Sequence, residues 1–231
     1  MAHLKIFLSY LLLLSFLQGF QAVEYNVVNN DPNTPGGMIF NNRIGVDYFR
    51  QQLEAASAFT WQTFRQTTAA DRKNIQRINV FIEDTVARAN IDVPAYASGG
   101  DLHFNTRYIA QYSGDVRREL TGVLYHETTH IWQWSNRAPG GLIEGIADYV
   151  RLKANLAPSH WVQPGAGSPW NRGYDVTARF LDYCNSLKEG FVAELNGKMR
   201  NGYSDNFFVE ILGKPVDQLF REYKARYGNQ P

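Results

Sequence analysis

The stretch that decides the fold is RRELTGVLYHETTHIWQWSNRAPGGLIEGIADYVR, residues Arg117–Arg151. Apolar residues recur at helical spacing around Tyr125–Trp134, and neither glycine nor proline interrupts Val123–Asn136, so the pattern predicts a helix there. The breaker residues Ala138–Gly141 then predict a tight turn, after which Leu142–Leu156 resumes a helical pattern. The stretch therefore indicates two helices that run back past one another.

The first of these helices carries the motif H-E-x-x-H. His126 and His130 are four residues apart, so both imidazoles lie on one helix face and can reach one metal ion. Glu127 projects beside them, toward the water that such an ion would activate. Two neutral imidazoles alone hold zinc poorly, and a catalytic zinc site usually has three protein ligands. The motif therefore predicts a Zn²⁺ site that takes a third ligand from elsewhere in the chain.

Two carboxylates early in the second helix are candidates for that role. If the first helix runs about 9 Å beyond His130 and the second about 5 Å before Glu144, the Glu144 carboxylate can return to the metal. Asp148 lies one turn further on the same face, where it can accept a hydrogen bond from a histidine and fix the tautomer of that ring. The reverse assignment of Glu144 and Asp148 stays open, as does the interpretation of both as solvated helix charges.

A family resemblance appears at the same residues. The chain resembles the plant basic secretory protein family, also described as pathogenesis-related secreted defence proteins, in YSGDVRRELTGVLYHETTHIWQW, GLIEGIADYVRLKA, RGYDVTARFLDYC and LGKPVDQLFREYK. Such proteins look like zincin metallopeptidases of the gluzincin type. The resemblance implies His126, His130 and Glu144 as zinc ligands and Glu127 as the catalytic base. It extends through nearly all of the chain after residue 22.

The N-terminus predicts export. Met1–Ala22 begins with one charged residue, Lys5, and continues into the apolar run Ile6–Leu17, as a secretory signal peptide does. That run is shorter than the roughly 20 residues of a membrane span, and no second apolar stretch of that length follows. We expect a secreted, extracellular protein, apoplastic in a plant and without a membrane anchor, in which 23–231 form one zincin-like domain.

Charge limits the classes of binding partner that we expect, and cysteine content limits the disulfides that the chain can form. The chain has 23 Lys+Arg and 22 Asp+Glu, and loss of Lys5 with the leader leaves 22 against 22, so the mature chain is not basic. This balance argues against a nucleic-acid partner, and the expected partner of the predicted monomer is a peptide or protein substrate. Cys184 is the only cysteine, so an intramolecular disulfide is excluded, and its pattern predicts a buried helix residue.

The rest of the chain predicts an α+β fold that the resemblance makes zincin-like, with a small mixed sheet, an active-site helix and a helical C-terminal part. Ile78, Val80 and Ile82 alternate with Asn79, Phe81 and Glu83, the period of two that a strand shows, and Gly45–Phe64 repeats apolar residues at helical spacing. The other predicted strands are Glu24–Val28 and the runs VPAY and DLHF around Ser98–Gly100. The predicted C-terminal helices are Tyr174–Leu187, Phe191–Met199 and Val216–Tyr227, and the predicted loops are Asp31–Gly37 and Ser159–Gly173.

Several residues outside the motif are placed by these patterns. The DLHF strand is predicted to border the cleft, as the edge strand to which an extended substrate adds in zincins. His103 in that run is then an edge-strand or cleft residue rather than a ligand, and His160 lies in a loop. Trp161 and Trp170 either form a wall of the cleft or cover the core.

The favoured function is hydrolysis of peptide bonds by a zinc-activated water, in plant defence, with Glu127 as general base. Tyr174 is the candidate donor to the charge that develops on the carbonyl oxygen, with Tyr149 and Arg179 as rivals and core packing as the structural alternative. A second hypothesis keeps the zincin fold but assigns it to binding a partner or a wall component, with little or no turnover. The intact Glu127 argues against this second hypothesis.

Overall fold

The computed structural model describes residues 22–228, so the predicted signal peptide Met1–Ala22 lies outside the described residues apart from Ala22. Four strands form one mixed sheet in the order β1-β2-β4-β3. Strands β1, β2 and β4 are parallel, and β3 pairs with β4 in the antiparallel sense. The strands are β1 Glu24–Asn29, β2 Arg77–Glu83, β3 Ala95–Ser98 and β4 Asp101–Asn105.

Helices of the N-terminal half cover the sheet and form what we call the sheet core. These helices are α1 Pro35–Arg43, α2 Val46–Thr63, α3 Thr85–Ala89, α4 Thr106–Gln111 and α5 Val116–Trp132. Every second residue of β2 is apolar and faces this core. The apolar residues of α5 recur every three to four positions, so they form one face of the helix, and that face packs against the same core. Its fully buried members include Phe49, Leu53, Ile78, Val80, Ile82, Phe104, Leu120 and Leu124.

The C-terminal half is helical and has a second core, the helical core. Its helices are α6 Gly140–Lys153, α7 Tyr174–Leu187, α8 Phe191–Lys198, α9 Asn206–Leu212 and α10 Val216–Tyr227. Its fully buried members include Leu142, Ile146, Val150, Phe180, Leu181, Cys184, Phe191, Phe208 and Tyr223. Cys184 is free and buried, as predicted. None of the helices in residues 22–228 is long and apolar enough to cross a membrane.

This arrangement confirms the α+β prediction and most of its elements. The bounds of α7 and α10 agree with the prediction, α2 is one residue shorter than predicted at each end, and β1 is one residue longer at its C-terminal end. Helix α5 begins at Val116, because the Asp115 carboxylate accepts a hydrogen bond from the Arg118 amide and caps the helix, so the N-cap that the run Ser113–Asp115 predicts is confirmed. The helix ends at Trp132, earlier than the predicted run to Asn136, because Gln133 is extended. Helix α9 was not among the predicted elements.

The prediction that DLHF borders the cleft as an edge strand is wrong. Strand β4 lies between β2 and β3, and β3 is the edge strand. The two-residue turn at Gly99 and Gly100, with φ of 62° and 96°, folds β3 back along the outer side of β4. His103 therefore lies on an inner strand, where its Nδ1 is 2.7 Å from a Glu83 carboxylate oxygen.

The prediction of a loop at Asp31–Gly37 is wrong in its second half, where α1 begins. The Thr34 hydroxyl accepts a hydrogen bond from the Gly37 amide and Pro35 occupies the first turn, which are both helix-start features. Gly36 and Gly37 are glycines for a packing reason, since a Cβ on either would lie 1.9 Å from a backbone carbonyl oxygen. Close backbone contact, rather than a turn, explains this glycine pair.

Candidate metal centre

The two helices of the deciding stretch, α5 and α6, lie antiparallel and form a seam of polar contacts. Arg151 Nη2 donates to Glu119 Oε2 at 2.9 Å at one end of the seam. His126 contacts Asp148 in the middle, and His130 approaches Glu144 at the other end. The polar pairs thus follow one another along the seam because residues three or four apart on each helix share a face. Helix α5 belongs to the sheet core and α6 to the helical core, so the seam joins the two halves.

Three side chains of this seam converge on one point. His126 Nε2 lies 3.0 Å from His130 Nε2 and 3.1 Å from Glu144 Oε2, and the remaining distance, from His130 Nε2 to Glu144 Oε2, is 3.5 Å. One donor atom from each residue lies within 4.8 Å of the others. The described residues therefore contain a His/His/Glu group that could hold a metal ion.

The outer ring nitrogens of the two histidines have partners of their own. His126 Nδ1 lies 2.7 Å from Asp148 Oδ1, so the carboxylate accepts the Nδ1 proton and leaves Nε2 free to ligate. His130 Nδ1 lies 2.6 Å from the Gln133 side-chain nitrogen, while Gln133 Oε1 is buried without a partner. A half-turn of this amide would bring Oε1 to His130 Nδ1, where it could accept the proton that a ligating imidazole keeps on that nitrogen.

The charges in the cluster shift each other's protonation. Burial disfavours the charged form of His126, but the charge and the hydrogen bond of Asp148, with a further bond from Glu144, raise its pKa to about 10. Burial also opposes the charge of Glu144, but hydrogen bonds and charge from His126 and His130 hold the pKa of that carboxyl well below its usual range. A metal ion binding here must displace a proton from the imidazoles, so its affinity falls as the pH is lowered.

Glu127 lies beside the cluster but outside it. Its side chain lines the cleft described below and is buried, with 6% of its surface exposed. Burial raises the pKa of Glu127, an effect that the nearby His126 and His130 oppose. Among residues 22–228 the carboxylate makes no hydrogen bond to another side chain, in contrast to Glu144 and Asp148, so its oxygens remain available to a proton donor that enters the cleft.

Of the three candidate oxyanion donors, Tyr174 lies at the cluster. Its ring stacks on the His126 ring with centroids 6.1 Å apart, and 57% of its surface is exposed. Tyr174 has a φ of 48°, a left-handed conformation that is costly for an aromatic residue. The rivals have other contacts, since Tyr149 is buried in the helical core and Arg179 Nε donates to the Val162 carbonyl.

A family comparison bears on what such a site does. The model of the BSP family, described as a peptidase of plants and bacteria, matches residues 20–223 of the chain. The chain belongs to this family. It is also similar to the basic secretory protease of Boswellia serrata, with 52% identity over 59 residues, which cover 26% of the chain and 67% of that relative. No solved structure matches the chain. The resemblance drawn from the sequence is therefore confirmed, and peptidase activity is the function that the family description states.

In this BSP-family chain the His/His/Glu group lies on the floor of a cleft of about 810 Å³. Residues 93–97, which include the first part of edge strand β3, form one wall. Trp161, His160 and Tyr174 line the cleft elsewhere, and His160 is not part of the metal-binding group. The two tryptophans of the loop Ser159–Gly173 differ in position. Trp161 lines the cleft, whereas Trp170 is part of the helical core.

Sequence reasoning missed several residues in the cleft or close to the His/His/Glu group. Glu119 precedes His126 by seven residues, and Arg151 follows Glu144 by seven residues. Extending the helical pattern by two turns on each side of the motif would have identified both residues. Gln133 follows His130 by three residues and is the C-cap of α5, just beyond the helix. Lys73 has no such pattern, because it lies in an irregular segment far from the motif in sequence.

Proposed function

We propose that this BSP-family peptidase depends on zinc, which His126, His130 and Glu144 would hold, and that Glu127 is its general base. The observation that carries the proposal is the convergence of these three donor atoms in a cleft beside a buried carboxylate that has no side-chain partner. The family description supports the reaction class, and the metal and the residue roles are our proposal. Asp148 would orient His126 without touching the metal.

The donor set fits zinc. Ligands at about 2.0–2.1 Å from a tetrahedral zinc ion lie roughly 3.3 Å apart, which is close to the 3.0–3.5 Å that separates the three donor atoms. Two imidazoles and one carboxylate form a ligand set that catalytic zinc sites use, and they leave a fourth position open toward the cleft. The contacts at the outer nitrogens of both histidines are the kind that orient ligating imidazoles.

The proposed chemistry is hydrolysis of a peptide bond. Zinc, when bound, supplies a Lewis acid that polarises the scissile carbonyl and lowers the pKa of the attacking water. Glu127 takes a proton from that water as the water oxygen bonds to the carbonyl carbon. When the carbon–nitrogen bond breaks, Glu127 passes the proton to the leaving amine. We propose that the Tyr174 hydroxyl donates a hydrogen bond to the negative charge that develops on the carbonyl oxygen.

The edge strand explains how a peptide would lie in the cleft. Strand β3 ends the sheet, and its outer backbone groups can pair with an extended peptide beside α5. We propose on this basis a zincin-like arrangement for residues 23–231, preceded by the leader Met1–Ala22. Secretion is part of the same proposal, supported by the sequence of the leader and by the name of the Boswellia serrata relative. A role in plant defence is proposed from the resemblance of the sequence to pathogenesis-related proteins.

The deciding experiment uses Glu127→Gln. This change removes the proton acceptor and keeps shape and zinc content, so turnover of a peptide library should fall by at least about a hundredfold. Phenanthroline should abolish cleavage by the unmodified protein, and zinc should restore it. Tyr174→Phe, assayed in parallel, should lower kcat more than it raises KM, because the hydroxyl acts only in the transition state. If zinc-loaded protein cleaves no peptide, or Glu127→Gln cleaves as fast, the proposal fails and the binding-protein hypothesis replaces it.

A further inference from the structure

A second, smaller pocket continues the cleft past the metal-binding group. Its volume is about 220 Å³, and His130 borders both this pocket and the main cleft. Along β3, the main cleft contacts Ala95–Ala97 and the small pocket contacts Ala97 and Ser98. A peptide that pairs with β3 would therefore pass the metal-binding group and continue into the small pocket.

Lys73 is the charged residue that lines this pocket besides the titratable His130. Its ammonium is half-buried, 3.5 Å from the His130 carbonyl oxygen and 5.8 Å from the centre of the Trp134 ring. Within residues 22–228, no carboxylate lies within ion-pairing distance of it, whereas most other lysines pair with an acidic residue, as Lys153, Lys188, Lys198 and Lys214 do. Burial removes part of the hydration shell of this ammonium, and no counter-ion compensates for that loss. An anionic ligand would compensate for it.

The surroundings reinforce this positive charge. The Arg200 guanidinium lies 4.9 Å from the centre of the same Trp134 ring, so two cations flank one indole. At the mouth of the pocket, a Cβ on Gly99 or Gly100 would meet no atom within 4 Å, so the turn leaves open space there. The pocket therefore combines a free positive charge with room for a side chain.

We infer that the Lys73 pocket is a specificity site that binds an acidic side chain of the substrate, next to the scissile bond. The inference rests on the proposed peptidase function. Antiparallel pairing is the more stable mode of strand addition, and it would place the N-terminal part of the peptide at the Ser98 end of β3. The acidic residue would then precede the scissile bond.

The test compares peptides that carry a single Glu or Gln at each of the three positions before and after the scissile bond. At one position before the bond, the unmodified protein should cleave the Glu peptide with a kcat/KM about tenfold or more higher, as a charge-assisted hydrogen bond predicts. Lys73→Met should bring that ratio close to one, and Lys73→Glu should invert it. Lys188→Met removes an exposed lysine that pairs with Glu194 and should leave the ratio unchanged. A ratio that Lys73→Met does not alter overturns the inference.

A measurement of peptide binding tests this inference separately from the peptidase proposal. Zinc-loaded Glu127→Gln should bind a heptapeptide with a central Glu about tenfold more tightly than its Gln counterpart, measured by titration calorimetry. Adding Lys73→Met should remove that difference, and raised salt should reduce it. Equal affinity for the two peptides overturns the inference whether or not the protein cleaves. If the difference is present but no peptide is cleaved, the acidic site stands and the peptidase proposal fails.

Discussion

Glu144 and Asp148 have similar chemistry and lie one turn apart, yet they contact opposite nitrogens of the same ring. Glu144 Oε2 is 3.1 Å from His126 Nε2, and Asp148 Oδ1 is 2.7 Å from Nδ1. Glu144 also approaches His130, and it is less buried than Asp148. Spacing alone leaves both assignments open, because either carboxylate can reach the motif. The contacts favour Glu144 as the ligand and Asp148 as the residue that orients His126.

Two substitutions test this assignment. Glu144→Gln should remove most of the bound zinc, because the metal loses an anionic ligand. Asp148→Asn should weaken zinc affinity by about 10–100-fold while leaving the site able to fill. Metal content after dialysis and titration against a competing chelator measure both. The control is Asp217→Asn on α10, which changes an exposed carboxylate in the same way. An empty site in Asp148→Asn together with a full site in Glu144→Gln would reverse the assignment.

Two glycines allow α6 to pack closely against α7 and against the end of the loop that precedes α7. A Cβ on Gly141 would lie 1.8 Å from the Asn171 carbonyl oxygen, and one on Gly145 would lie 2.2 Å from Thr177 Cγ2. The Thr177 side chain cannot rotate away from an added methyl without losing two hydrogen bonds. Its hydroxyl donates to the Trp170 carbonyl and accepts from the Gly173 amide. This close packing positions Tyr174, at the start of α7, next to the ligand-bearing turn of α6.

Gly145→Ala should therefore destabilise the protein, by about 1–3 kcal/mol, because the added methyl forces α6 and α7 apart. Thermal unfolding measures the effect, with roughly 2–4 °C expected per kcal/mol for a domain of this size. Gly197→Ala is the matched control. Gly197 is also helical, but its Cβ would meet no atom, so the change should be neutral or stabilise by up to about 1 kcal/mol. Equal melting temperatures for the two variants would contradict the packing argument.

The candidate site lies where the sheet core and the helical core meet. His126 and His130 belong to α5, which packs into the sheet core, and Glu144 belongs to α6, which packs into the helical core. The proposed ligands therefore come from both halves of the chain. An ion that they share would connect the halves directly and would bind the folded state but not the unfolded chain.

Zinc should accordingly raise the melting temperature of the protein. At a free zinc concentration of about a thousand times Kd, the stabilisation is about 4 kcal/mol, or roughly 8–16 °C. Calorimetry with zinc and with a chelator measures this shift. Glu144→Gln should lose it, and Glu127→Gln should keep it because Glu127 is not a proposed ligand. A shift that survives in Glu144→Gln would place zinc elsewhere on the molecule.

Local periodicity in the sequence is enough to predict several elements and the pairing of the two histidines. The four-residue spacing in H-E-x-x-H puts His126 and His130 on one face, and the alternation in β2 and the apolar stripes of α2, α7 and α10 specify those elements, because each depends on neighbours within a few residues. The buried position of Cys184 follows from the same helical pattern. Thr34 and Pro35 are also local signals, typical of a helix start, but the two glycines after them are typical of a loop.

How distant segments of the chain meet is visible only in the folded protein. The edge position of β3 depends on how the hairpin folds back, and the contacts of Glu144 and Asp148 depend on the offset between α5 and α6. Lys73 reaches the His130 carbonyl across a sequence separation of 57 residues. No periodic pattern encodes these contacts, because they result from how two cores bury their apolar surfaces against each other, and that packing depends on the whole chain at once.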